Sequence, residues 1–213
     1  HRDLHSFPTR RSSDLLRKAR PQAKFLELAH RLDRETSGLL VIGKKRSALT
    51  RLHDLFRDGG IDKRYLALVK GHWRDKLRNV KLPLLKYQTA EGERRVRVSA
   101  EGKDAHSIMR LQGRWKTPLG SFSLLEVELR TGRTHQIRVH LAHLGFPILG
   151  DEKYGDFTLN RDLQKVGLKR MFLHAASMRL PHPLNGEPLA LAAPLPMELE
   201  RFLEKIGNAD ETL

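Results

Sequence analysis

The spacing of apolar positions changes repeatedly along the chain, and each change predicts an element. Leu39-Leu40-Val41-Ile42 is a short apolar run after Gly38 and reads as a buried strand. Ser47 then stands where a helix cap belongs, with Leu49, Leu52, Leu55 and Phe56 on one helical face and Gly59-Gly60 as the stop. Tyr65-Leu66-Ala67-Leu68-Val69 predicts a second strand, ended by Gly71. Arg95-Val96-Arg97-Val98 alternates basic and apolar residues, the period of a half-exposed strand. Residues 122–129 and 172–180 read as further strands. Residues 135–144 fit a helix, because Ile137, Leu141 and Leu144 recur at helical spacing. An amphipathic helix over 197–206 precedes a polar tail, 208–213. Strands outnumber helices and several are neighbours, which predicts a mixed α+β domain. Its centre is a largely antiparallel sheet flanked by helices and loops.

Composition narrows the class. The chain has 213 residues, 39% hydrophobic and 31% charged, which excludes a disordered chain and fits one domain with tails. No apolar run approaches the length of a membrane span, so no membrane partner is expected. Cysteine is absent, which excludes disulfides and thiolate metal sites and suits the cytoplasm. Lys and Arg number 40 against 25 Asp and Glu, a formal charge of +15. A surplus of that size predicts a polyanionic partner, since phosphate contacts release condensed counterions. With only 6% aromatic residues, an extended base-stacking platform is not expected.

The first fifteen residues, HRDLHSFPTRRSSDL, do not match the rest in character. The run from His5 to Leu15 equals, residue for residue, the translation of a short-read sequencing adapter. Residues 1–15 are therefore set aside as foreign to the fold, leaving 16–207 as the single domain.

Four segments carry candidate chemistry. In His30-Arg31-Leu32-Asp33-Arg34-Glu35-Thr36-Ser37-Gly38, an Asp lies between two Arg just before a Gly. Guanidinium groups beside a carboxylate favour its charged form, and a charged, oriented carboxylate can act as a nucleophile. A helix cap or surface ion pair is the plainer account of such an Asp. Between Arg130 and His140, three Arg fall within nine residues and can serve phosphate or carboxylate. His135, His140 and His143 do not share one helical turn and have no Cys or acidic companion, so no metal is expected there. Tyr65 opens a strand behind Lys63 and Arg64, and Arg170-Met171-Phe172-Leu173-His174-Ala175 reads alone as simple core.

Together these segments resemble the pseudouridine synthases of the RluA type. The motifs HRLDRETSGLLV, KRYLALVKG, RTGRTHQIRVHLAHLGFPILGDEKYG and RMFLHAASMRLPHP occur in the family's order and span nearly all of the chain after residue 15. RPQAKFLELAHRLDRETSG, KKRSAL and GERRVRVS are similar to the branch acting on large-subunit ribosomal RNA. The resemblance implies isomerisation of uridine to pseudouridine after base flipping, with no cofactor and no metal. It assigns Asp33 as the essential aspartate, Arg138 as its ion-pair partner and Tyr65 as the active-site tyrosine. Arg31 matches the arginine that helps fill the space left by the flipped base. Leu173 matches an apolar residue against the base, and Arg133 and His135 fall on the substrate side. The implied partner is large-subunit ribosomal RNA, and a monomer is expected. Family members carry a further strand segment before this domain, often after an S4 RNA-binding module, so the chain is expected to lack both. Two other classes fit parts of the pattern: a non-catalytic ribosomal-RNA-binding or assembly factor, and a glycosylase that would release free uracil.

Overall fold

The computed structural model describes residues 14–207 and 211–212, the last two as backbone. All but Asp14 and Leu15 of the segment set aside as foreign lies outside the described residues, as does most of the tail.

The strands are β1 (Glu27–Leu28), β2 (Ser37–Gly38), β3 (Ile42–Gly43), β4 (Asp62–Lys70), β5 (Leu77–Lys81), β6 (Leu84–Gln88), β7 (Arg94–Val98), β8 (His106–Thr117), β9 (Gly120–Leu129), β10 (Leu173–Pro181), β11 (Pro188–Ala192) and β12 (Glu211–Thr212). The main helices are α1 (Arg46–Asp58), α2 (Gln136–His143), α3 (Phe157–Lys165) and α4 (Met197–Ile206). The central sheet runs β11-β10-β4-β9-β8-β12, with β5 also on β8 and β2 on β10. Every pairing in it is antiparallel except that of β2 with β10. The expected architecture, α and β around an antiparallel sheet, is the observed one.

Alternation along β4 divides the core. Tyr65, Ala67 and Val69 face one way and pack with Met109, Val127, Ile137 and Leu141, which brings in α2. Leu68 faces the other way, onto Phe122, Phe172, Leu163 of α3 and Phe202 of α4. A one-residue bulge in β10, between Ala175 and Ser177, then resets the parity. Met178 pairs with Lys63 and therefore lies on the Tyr65 face with Leu180. There they receive Leu52 and Leu55 of α1. The same sheet face thus carries α1 at one end and α2 at the other, and the gap between them becomes a cleft.

Two local expectations are corrected. The run 39–42 is not a continuous buried strand: its residues are half-buried, β2 ends at Gly38 and β3 begins at Ile42. The cause is a side chain, because the Val41 amide donates to His30 Nε2 at 2.9 Å rather than to a strand partner. Ser47 is not the helix cap either. Lys45 holds that position in extended conformation, without a side-chain cap bond, and its carbonyl accepts from the Leu49 amide. The helix does end where expected, on Gly59 at φ 78°.

Gly38 allows no side chain. Its φ is +108°, and a Cβ there would sit 2.1 Å from the Ala175 carbonyl oxygen. Gly38→Ala is expected to cost on the order of 3 kcal/mol through strain and overpacking. The urea midpoint measures this, and an unchanged midpoint would mean that β2 is not tied to β10.

Candidate active site

The loop from His30 to Thr36 joins β1 to β2, and it is pinned at both ends. On its entry side, His30 accepts from Val41 and stacks on Phe56 of α1, ring centroids 4.7 Å apart. On its exit side, Arg170 donates to the Glu35 carbonyl at 2.8 Å and to Ser37 Oγ at 2.9 Å. His174 pairs through Nδ1 with the same Ser37 hydroxyl and through Nε2 with the Ala193 carbonyl, each at 2.9 Å. Between the pins, the Thr36 amide donates to the Asp33 carbonyl and closes a turn. The Asp33 side chain, 26% exposed, projects from that turn into the cleft.

His30 is held neutral. Burial, then the nearby Lys63 ammonium, pushes its pKa from 6.5 down to about 4. Between those values the unfolded chain binds a proton that the folded chain refuses, so stability falls as pH drops through that window. The loss from this residue is at most about 3 kcal/mol. His30→Gln keeps an acceptor for Val41 but does not titrate. Its stability is expected to depend less on pH than that of the natural sequence, measured by urea unfolding at neutral pH and at the acid end of the window. Parallel curves would refute the assignment.

The opposite wall of the cleft is the 130–138 loop and the start of α2. Gln136 organises it while buried: Oε1 accepts from Thr131 Oγ1 at 2.7 Å and from the Arg133 amide at 3.0 Å, and Nε2 donates to the His106 carbonyl and Ser107 Oγ. With every capacity of the amide used, the loop has one arrangement. His135 caps α2 at φ 53°, alone among described non-glycine residues in having positive φ.

Arg138 crosses the cleft. Its Nε and one terminal nitrogen bind Asp151 as a fork, both bonds 2.8 Å, and its other terminal nitrogen reaches Asp33 Oδ2 at 3.3 Å. Asp151 is 1% exposed and also accepts from the amides of Lys153 and Tyr154. Burial alone would raise the Asp151 pKa, but the Arg138 hydrogen bonds and charge hold it below the ordinary value. Burial likewise opposes the charge on Arg138, and Asp151 followed by Asp33 outweighs it, so this guanidinium stays charged. Tyr65 lies on the sheet floor beside Leu173, both buried. Burial, reinforced by the Asp33 charge, raises its pKa to about 12, so the phenol keeps its proton at neutral pH.

The cleft has a volume of about 1350 Å³. Asp33, Tyr65, Arg138, Arg31, Arg133, His135 and Leu173, predicted from four segments distant in sequence, all line it. Arg31 and Arg133 are exposed, and Arg133 Nε donates to the Asp104 carbonyl at 3.0 Å. The three histidines are dispersed: His140 is buried on Ser107 and the Leu82 carbonyl, and His143 is exposed. Among the described residues no group of three or more His, Cys, Asp or Glu is placed to hold a metal ion, and no helix is long and apolar enough to cross a membrane.

Sequence reasoning missed Gln136, Asp151, Tyr154, Arg170 and His174 as parts of the site. Their signal was the presence of polar groups inside apolar runs, where each needs a partner, but the partners are distant in sequence.

The family profile for RNA pseudouridylate synthase matches residues 5–143. The ribosomal large subunit pseudouridine synthase C of Escherichia coli (strain K12) is 47% identical over 196 residues, 91% of this chain and 60% of that protein. The protein of the same name from Pasteurella multocida (strain Pm70) is 47% identical over 190 residues, 89% of this chain and 57% of that protein. The chain therefore spans about 60% of the length of these relatives. Among solved structures, human RNA pseudouridylate synthase domain containing 4 superposes with a TM-score of 0.72 at 28% identity, covering 91% of this chain and 81% of that one. Human RNA pseudouridylate synthase domain containing 1 shares the fold, with a TM-score of 0.70 at 24% identity, covering 92% and 85%.

Proposed function

The chain belongs to the RNA pseudouridylate synthase family, and on that footing we propose that it isomerises uridine to pseudouridine in large-subunit ribosomal RNA, with Asp33 as the catalytic carboxylate. The observation that carries the reading is the Asp33 carboxylate standing at the cleft with Arg138 on one oxygen and Tyr65 on the floor below. The relatives that are 47% identical are named for the large ribosomal subunit, which supports that substrate. The formal charge of +15 suits it as well.

The target nucleotide must leave its helix, because the glycosidic bond is otherwise out of reach; flipping costs a few kcal/mol. Arg31, exposed at the rim, enters the space the base leaves, and Arg133 faces the RNA backbone. Asp33 assists breaking of the C1′–N1 bond. The uracil is kept between Leu173 and Tyr65, turns, and rejoins C1′ through C5. The proton on C5 then leaves to N1 or to water, so the reaction balances without any redox partner or cofactor. Tyr65, protonated at neutral pH, serves as a hydrogen-bond donor rather than as a base in this scheme. The protein acts as a monomer in the cytoplasm.

The test uses large-subunit ribosomal RNA tritiated at uridine C5. Release of tritium to water, with no free uracil, is the expected result. Free uracil would make the protein a glycosylase, and tight RNA binding without release would make it a binding factor.

A further inference from the structure

His135 occupies a strained backbone position that a glycine would hold without cost, and its ring has one partner on each side. Such strain persists only where the surroundings over-determine it, and it clusters at functional sites. Towards the protein, Nδ1 lies 2.7 Å from the Tyr154 hydroxyl. Towards the cleft, Nε2 lies 4.0 Å from Asp33 Oδ1, while Arg138 is on Oδ2.

The hydrogen bonds decide where the imidazole proton sits. The Val96 amide has only its N–H to offer and donates it to the Tyr154 hydroxyl oxygen at 3.0 Å. Among the described residues the phenol proton has no acceptor but His135 Nδ1, so it points there and the neutral ring carries its own proton on Nε2. Tyr154 is itself fixed by its amide, which donates to Asp151 Oδ1 at 3.0 Å, and by Arg138, whose guanidinium lies 5.1 Å from its ring centroid. Burial lowers the His135 pKa; Asp33 and Asp151 oppose this, while Arg138 and Lys153 add to it, so the ring is uncharged at neutral pH.

We propose that Tyr154 holds His135 as the Nε2–H imidazole aimed at Asp33 Oδ1, making His135 a positioning residue that shares the carboxylate with Arg138, one oxygen each. The Nε2–Oδ1 separation of 4.0 Å is longer than a hydrogen bond and shortens when substrate binds, as catalytic contacts often do. A carboxylate held at both oxygens cannot rotate out of line with the flipped nucleotide. A charged imidazolium would instead compete with Arg138 for the same anion. The role rests on the proposed use of Asp33 as the catalytic carboxylate.

The test has two arms on the full chain. With ¹⁵N-labelled histidine, the natural sequence is expected to show the His135 ring as the Nε2–H tautomer at neutral pH, identified by its disappearance in His135→Leu. Tyr154→Phe is expected to shift it towards Nδ1–H, because the donor to Nδ1 is gone. An Nδ1–H or doubly protonated ring in the natural sequence would overturn the proposal. In the second arm, His135→Leu is expected to lower kcat about 10- to 100-fold with KM for RNA little changed, the worth of one hydrogen bond to a charged group. His135→Gln, which keeps a donor, is expected to recover part of the loss, and equal kcat in the two variants would also overturn the proposal. The tautomer is read without turnover, so a chain that isomerises nothing would remove the proposed function yet leave the imidazole assignment to stand or fall alone. In that event the ¹³C shift of the Asp33 carboxyl decides: it is expected to move in His135→Leu and not in His135→Gln.

Discussion

Asp33→Asn is expected to fold and bind ribosomal RNA like the natural sequence while losing turnover by about 10⁴-fold or more, the scale seen when one member of a catalytic unit is removed. The carboxamide is close in size to the carboxylate and can still meet Arg138, so neither the turn closed by Thr36 nor the pins at Val41 and Ser37 is disturbed. What is lost is the negative charge and the nucleophilic or basic oxygen at the cleft. Filter binding gives the affinity, and tritium release from C5 gives the turnover. Release at more than about a hundredth of the natural rate would remove Asp33 from the chemistry, because residual catalysis from binding alone should lie well below that.

Asp151→Ala is expected to destabilise the fold by about 3–5 kcal/mol, since removing one partner of a buried ion pair leaves the other charge uncompensated. Arg138 loses both bonds of its fork, and the Lys153 and Tyr154 amides lose their acceptor. Turnover falls with it, because the guanidinium that reaches Asp33 is no longer held. The double variant Arg138→Met/Asp151→Leu separates the two effects. It removes both charges from the interior, so much of the stability is expected to return, while turnover stays absent without the Arg138 bond to Asp33. Urea unfolding and tritium release are read on the same preparations. Recovery of both would make the pair structural only.

The chain's periodicity determined its local elements well where one face is apolar and neighbours are few. α1 ends on Gly59, β4 and β9 contain the runs read as strands, and α4 coincides with its amphipathic pattern. These elements answer to rules acting within a turn or two of chain. The longest strand, β8, went unread because Arg110, Gly113 and Lys116 interrupt its apolar alternation and a bulge lies between Leu111 and Gly113. The short helix α3 also escaped, although Asp156 caps it by accepting from the Leu159 amide.

The candidate chemistry was legible for a related reason: Asp33, Tyr65 and Arg138 each lie in a compact run whose residue types announce a site. Their assembly was not legible. Whether Asp33 and Arg138, far apart in sequence, share a cleft depends on the β10 bulge, which leaves α1 and α2 on the same sheet face. That Arg138 gives its two shorter bonds to Asp151 and only one to Asp33 depends on burying a carboxylate at 1% exposure opposite it. The direction of the His135 ring depends on a Val96 amide from another hairpin. Sequence alone therefore determined which groups are available and which elements present them. Tertiary structure alone decided which groups meet, because hydrogen bonds and ion pairs fall off within a few ångströms, and those distances exist only once the sheet has closed.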